Sequence, residues 1–367
     1  MKKSVLLTVS LGLFGLLFAH SCTSINYGVN KMKVENSSQF KNGKFANPVQ
    51  WEEPSFGQMM ATTWDFLTID NDRKPNYELP KQKADLNEFH SKADNHLSAT
   101  WLGHSSILIN IDGFRLALDP VFEKSISIVG PSRFNGEIPF NPTDLEYLDA
   151  IIISHDHYDH LNKATIRQLE PITNRFFVPL GVGQRLINWN VPKDKIVELD
   201  WWEEKTIGGR LTLAATPAQH FSGRNLIDRD KTLWASWVMK TDNHRVYFSG
   251  DSGYFEGFKQ IGNVYGPFDL TFIECGAYNE KWRYVHMFPE ETVQAHIDLN
   301  GKILHPIHWG TFDLSLHSWY EPMNRLATAA QKENVKIATP VVGDTTVYNH
   351  YIPNQRWWDV RLAELKN

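Results

Sequence analysis

The sequence has two cysteines in 367 residues, Cys22 and Cys275. At most one disulfide is available, and none if Cys22 is acylated, so no disulfide framework holds the fold. There is no run of lysine and arginine and no basic stripe, and the formal net charge is −5. The electrostatic footprint of a nucleic-acid binder is therefore missing. No P-loop occurs, and no GxGxxG follows a strand pattern, which removes the usual nucleotide cradles. No solenoid-type repeat is present. The one long apolar run, residues 5–19, has signal-peptide length and is too short for a confident membrane span. What remains is an ordinary globular composition, 42% hydrophobic and 22% charged. The length suits one large domain or two small ones, with a sizeable core. Thirteen Trp and 21 Phe fit that core, or an apolar groove within it.

The N-terminus reads as an address. Lys2 and Lys3 precede the apolar run, which ends at Ala19-His20-Ser21-Cys22. Small residues before a cysteine resemble a bacterial lipobox, although His20 is unusual there. Residues 1–21 are expected to be a lipoprotein signal peptide and Cys22 the lipidated residue. Thr23 carries no acidic retention mark, which favours the periplasmic face of the outer membrane. Residues 22–43 are polar and read as a tether, and residues 44–367 as the domain. Residues 45–95, with scattered aromatics among prolines, read as an irregular lead-in.

From Leu97 the pattern changes. Short apolar runs bounded by Gly, Asp and Pro predict strands at 97–102, 106–111, 114–118, 150–153, 175–178, 196–199, 210–215, 233–240, 245–249, 270–274 and 302–307. Helical spacing predicts helices at 162–169, 181–188, 254–261, 289–299 and 318–331. The helix from Pro289 has Glu290 and Glu291 in its first turn and Gly301 after its end, which is good start and stop chemistry. Many strands with helices between and after them predict an α/β fold of sheets covered by helices. The apolar set Leu180, Val182, Leu186, Ile187 and Trp189 is read as core, with a bilayer-facing patch as the alternative. Cys275 sits in an apolar strand and reads as a buried small hydrophobe.

The chemistry concentrates in Ser154-His155-Asp-His157-Tyr-Asp159-His160. An apolar strand ends there, and four metal-ligand side chains follow within six residues. Imidazole and carboxylate both bind zinc at roughly 2.0–2.2 Å. In extended chain His155 and His157 face the same way and can share an ion; Asp159 and His160 can then face a second. His220, Asp251 and His308 each follow a strand pattern further on. Alone, each is more easily a hydrogen-bonded structural residue; together they put ligands at the ends of several strands.

This order of ligands resembles the metal signature of the metallo-β-lactamase superfamily. The sequence is more closely similar to the N-acylphosphatidylethanolamine-hydrolysing phospholipase D family. That likeness rests on Lys44-Phe-x-Asn-Pro48, Thr100-Trp-Leu-Gly-His-Ser105, Glu198-Leu-Asp-Trp-Trp-Glu-Glu204, Thr216-Pro-Ala-Gln-His220, Gly250-Asp-Ser-Gly-Tyr254 and Ile307-His-Trp-Gly-Thr-Phe312. The resemblance implies a single-domain, four-layer αβ/βα sandwich with two zinc ions. It implies that His155, His157 and His220 hold one ion, that Asp159, His160 and His308 hold the other, and that Asp251 bridges them. Asp251 and His286 are then the catalytic candidates, with His286 as proton donor, phosphate contact or packing residue. His286, Tyr278 and Arg133 are the candidate substrate contacts, an exposed arginine being an equal alternative for Arg133. His104 is either an orienting residue or core, and Asp156 orients ligands or accepts a proton. The implied partners are a phospholipid substrate and the membrane, through the anchor; a homodimer is left open. The implied reaction releases phosphatidic acid and an N-acylethanolamine. The alternatives are a hydrolase of the same fold acting on another phosphodiester or a lactone, and a zinc-binding lipoprotein without activity.

Overall fold

Strand alternation builds the first sheet of this computed structural model, which describes residues 30–359 except 53, 70, 128, 129 and 226. The signal segment and Cys22 lie outside the described residues. β3 (Leu97–Trp101), β4 (Ile107–Ile111) and β5 (Phe114–Leu118) run antiparallel. β6 (Leu148–Ile152), β7 (Thr173–Pro179) and β8 (Ile196–Leu199) then add in parallel. β15 (Thr345–Val347) closes the other edge against β3. Both faces of this sheet are buried, so its strands are apolar almost throughout. Ile107, Ile109 and Ile111 enter the core between the sheets, while Leu108 enters the one beyond. That second core is closed by Ile166 and Leu169 of α3 (Lys163–Leu169) and by Val182 and Leu186 of α4 (Val182–Asn188).

The second sheet runs β9 (Glu204–Ile207), β10 (Leu211–Thr216), β11 (Ser236–Lys240), β12 (Arg245–Phe248), β13 (Leu270–Glu274), β14 (Leu304–Ile307). Its first four strands are antiparallel and its last two parallel. α5 (Gly257–Tyr265), α6 (Pro289–Asp298) and α7 (Glu321–Lys332) bury Phe258, Ile261, Val293, Met323 and Leu326 on its outer side. The result is helix, sheet, sheet, helix. α6 starts at Pro289 as expected, and the Glu291 carboxylate accepts the Phe288 N–H at 3.0 Å.

Two expectations change. The polar tether ends earlier than residue 43: α1 (Lys31–Asn36) buries Val34, and β1 (Phe40–Lys41) pairs with β2 (Lys44–Phe45). The Lys33 ammonium donates to the Glu198 carbonyl at 2.7 Å, so the chain is docked from Asn30 on. The lead-in also holds a three-turn helix, α2 (Phe56–Thr68), opened by a reciprocal Ser55–Gln58 capping box. The strands without a prediction are the two-residue β1 and β2, a polar edge, β9, and the three-residue β15. Leu180, Val182 and Leu186 are core, as read. Trp201 is buried and its indole donates to the Trp234 carbonyl at 2.7 Å.

Trp237 ties this packing to the loop that follows β6. Its ring is fully buried and its indole N–H donates to the Ile153 carbonyl at 2.9 Å. Trp237→Phe keeps an aromatic ring but leaves a gap and a buried acceptor without its donor. The expected loss is roughly 2–4 kcal/mol, read from the midpoint and slope of urea unfolding.

Candidate metal centre

Strand ends deliver the polar side chains. β6 leads into His155, His157, Asp159 and His160; β10 leads to His220, β12 to Asp251 and β14 to His308. Two glycines let these loops close on one another. Gly250 has φ +55°, and a Cβ there would lie 2.4 Å from the Ser154 Cβ. A Cβ on Gly276 would lie 2.1 Å from the His308 carbonyl oxygen. Only glycine fits either place.

The imidazoles of His155, His157 and His220 converge. His157 Nδ1 is 2.8 Å from His155 Nε2 and 3.3 Å from His220 Nε2. Ligands about 2.0–2.1 Å from a tetrahedral ion stand roughly 3.3 Å apart. A second group joins His104, Asp159, His160 and His308, with ligand atoms within 4.8 Å of one another. Asp251 stands between the groups. Its Oδ2 is 3.8 Å from His155 Nε2, 3.7 Å from His220 Nε2, and 3.1 Å from both His160 Nε2 and His308 Nε2. Asp251 Oδ1, His160 Nε2 and His308 Nε2 are buried without a hydrogen-bond partner. Buried polar atoms left unpaired are costly, and a cation at this place satisfies all three. The donor set fits metal.

The far sides of the rings are held in place. His155 Nδ1 meets Ser154 Oγ at 2.9 Å, His160 Nδ1 meets Asp119 Oδ2 at 2.7 Å, and His220 Nδ1 meets the Val285 carbonyl at 2.9 Å. Such partners fix ring tautomer and orientation. His104 is buried, its Nε2 is 2.8 Å from Asp159 Oδ2, and its carbonyl accepts the His308 N–H at 3.1 Å, contacts with which it could orient both. Burial lowers His155 and His220 well below the usual imidazole range and His157 to about 4. These three are neutral at pH 7, the state that binds metal. Burial works the same way on His308, but the Asp251 and Asp159 carboxylates outweigh it and carry His308 up to about 10. His160 is raised for the same reason.

His286 is brought to the cluster. Its Nδ1 is 2.7 Å from Glu274 Oε2, and its ring lies 5.2 Å from His308 and 5.1 Å from His220. Arg133 is reassigned: its guanidinium donates to the carbonyls of Leu102 at 2.7 Å, Glu123 at 3.2 Å and Val121, and covers Phe312. It clasps loops and has no fork free for phosphate. Tyr278 is buried, and its hydroxyl donates to Glu321 Oε1 at 2.8 Å, so it is engaged with α7. Asp156 is buried between Arg185 Nε and the Gly223 N–H, a brace for the loop. Cys275 is buried, as read. Sequence reasoning missed Asp119 and Glu274. Each is a carboxylate at the end of an apolar strand, fully buried, which was the available signal.

Two mixed sheets face to face, with a histidine and aspartate cluster at one edge, define a metal-dependent hydrolase fold. The sequence matches the family described as beta-lactamase superfamily domain over residues 115–309. An uncharacterised protein of Mycobacterium tuberculosis is 40% identical over 88% of each chain. The N-acyl-phosphatidylethanolamine-hydrolyzing phospholipase D 1 of Caenorhabditis elegans is 35% identical over 68% of this chain and 73% of that one. The outer membrane protein RomA of Klebsiella pneumoniae is 48% identical over 28% of this chain and 76% of its own. A solved metallo hydrolase of the archaeon Ignicoccus hospitalis shares the fold, with TM-score 0.52, 21% identity, and 68% and 97% of the two chains covered. The chain belongs to the beta-lactamase superfamily, in the group that includes this phospholipase D relative, and it is a hydrolase.

Protonation separates the two ligand groups. In the metal-free protein the three-histidine group is already neutral, while His160 and His308 carry protons at pH 7. Metal must displace those protons, so affinity at the second group rises with pH up to the His308 value of about 10. Calorimetric titration in buffers of different ionisation enthalpy is expected to show proton release for that group and little for the first.

Proposed function

We propose that this protein is a dinuclear zinc phosphodiesterase of phospholipase D type. It hydrolyses an N-acylated phosphatidylethanolamine to phosphatidic acid and an N-acylethanolamine. The observation that carries the reading is the position of Asp251 Oδ2, within 3.8 Å of imidazole nitrogens from both ligand groups. His155, His157 and His220 would hold one ion, Asp159, His160 and His308 the other, with Asp251 shared. Nitrogen-rich donors with carboxylates suit zinc. When bound, two such ions supply a water made nucleophilic near neutral pH and offset the charge on a phosphoryl group.

The chain's own residues do the rest. Glu274 engages His286 Nδ1, which leaves Nε2 as the nitrogen that would take a proton from the attacking water and pass it to the departing alkoxide. Ser154, Asp119 and the Val285 carbonyl keep the ligand rings aimed. The lipobox-like Cys22 and the similarity to an outer membrane protein support a lipid-anchored enzyme on the periplasmic face of the outer membrane.

The test is turnover by the full chain on N-acylphosphatidylethanolamine in mixed micelles, read by mass spectrometry. Phosphatidic acid and N-acylethanolamine are expected, and both disappear with chelator or in Asp251→Asn. His286→Ala should lower kcat by about 10²–10⁴-fold with a small change in KM. Lack of turnover by protein carrying about two metals per chain would sink the substrate and turn attention to other phosphodiesters and lactones.

A further inference from the structure

α2 is built the wrong way round for a helix on a water-soluble surface. Its large apolar residues recur at Phe56, Met60, Trp64 and Leu67, the spacing of one helix face. That face points outward, with the four side chains 75, 45, 62 and 70% exposed. The side turned to the protein carries Thr62, Asp65 and Phe66, which are half-buried. Asp65 pairs with Lys281, and Phe66 stacks on Trp282 at 6.4 Å. No residue of the helix is buried. An ordinary surface helix puts its apolar stripe inward.

The helix is fastened to the segment that carries His286. Lys281 and Trp282 are its partners, Tyr284 stacks on Trp51 at 6.2 Å, and His286 follows two residues later. Trp51 and Tyr284 stack on each other next to this segment, which also carries Lys281, paired with Asp65, and Arg283, paired with Glu280 and Glu291. Aromatic and basic residues around an apolar face match the headgroup region of a bilayer.

We propose that α2 is a bilayer-docking element that lays its outward stripe into the lipid surface and sets the His286 side of the metal centre against the membrane. The proposal deepens the phospholipid reading above and rests on it for the choice of occupant. Four partly exposed side chains offer on the order of 400 Å², about half of the roughly 800 Å² that each partner brings to a stable protein interface. A second copy of the chain is therefore the poorer fit. Seven residues separate Cys22 from the docked Asn30, eight Cα-to-Cα steps with a reach of at most ~28 Å. An acyl chain on Cys22 keeps the domain within that distance of the surface. α2 has 13 residues, about 20 Å of helix, too short to cross a hydrocarbon core of about 30 Å.

Cys275 is buried and Cys22 is the acylated residue in this reading, so an introduced surface cysteine can be labelled alone. Full chains carrying Trp64→Cys or, for comparison, Lys332→Cys are labelled with an environment-sensitive fluorophore. They are placed on vesicles of phosphatidylethanolamine and phosphatidylglycerol that contain a lipid-borne quencher. The label at 64 should be quenched several-fold more than the label at 332. Equal quenching overturns the proposal, as does a label at 64 shielded without lipid quenching in a chain that runs as a dimer. The double variant Trp64→Glu, Leu67→Glu should lower hydrolysis of vesicle-embedded substrate about tenfold and leave hydrolysis of a micellar short-chain phosphodiester unchanged. Quenching needs no turnover, so it stands or falls apart from the choice of substrate.

Discussion

Asp251 is a carboxylate with almost no access to water, and an ionised carboxylate there has to be surrounded by positive charge. In the metal-free chain the rings of His160 and His308 take that part, which is why both are raised. Bound metal would take that part instead, and the rings would then give up their protons. The loops of four strands must converge on one oxygen for this to work. Gly250 and Gly276 permit it by leaving out a Cβ where the loops touch.

The sandwich makes that convergence durable. Each ligand sits one to eight residues beyond a buried strand, so its position is set by the sheet. Trp237 reaches from the second sheet to the Ile153 carbonyl, just ahead of the first ligand. Arg133 clasps three carbonyls, and Asp156 with Arg185 braces the loop from the other side. These residues touch no reacting atom. They hold the geometry that lets a few histidines act together.

The function-bearing surface has two sides of different character. The metal centre is polar, buried and held by strand ends. The α2 flank is apolar, exposed and held by a few contacts to 281–284. His286 lies where the two meet, tied to Glu274 on one side and following Tyr284 on the other. The lipid hydrolysis proposed above would use both, since the scissile group is polar and the rest of the molecule is not.

Eleven of the thirteen strands from Leu97 on and the candidate ligand series were legible in the sequence, because a buried strand needs an apolar run and a metal site needs a recognisable set of side chains. Asp119 and Glu274 were not legible as site residues, since a carboxylate at a strand end looks the same whether it meets water or an imidazole. Arg133 looked free for an anion until its three carbonyl partners were known. The residues of α1 read as tether because two apolar residues two apart in a polar stretch, Met32 and Val34, give no helical periodicity. The direction of the α2 stripe could not be read either: the spacing shows that a helix has an apolar face, and only packing decides which way it turns. The sequence by itself determined the strand pattern, the fold class and the series of ligands, all carried by local residue order. Tertiary structure alone decided which carboxylates support the ligands and which apolar face stays outside, because those depend on contacts between segments tens to hundreds of residues apart.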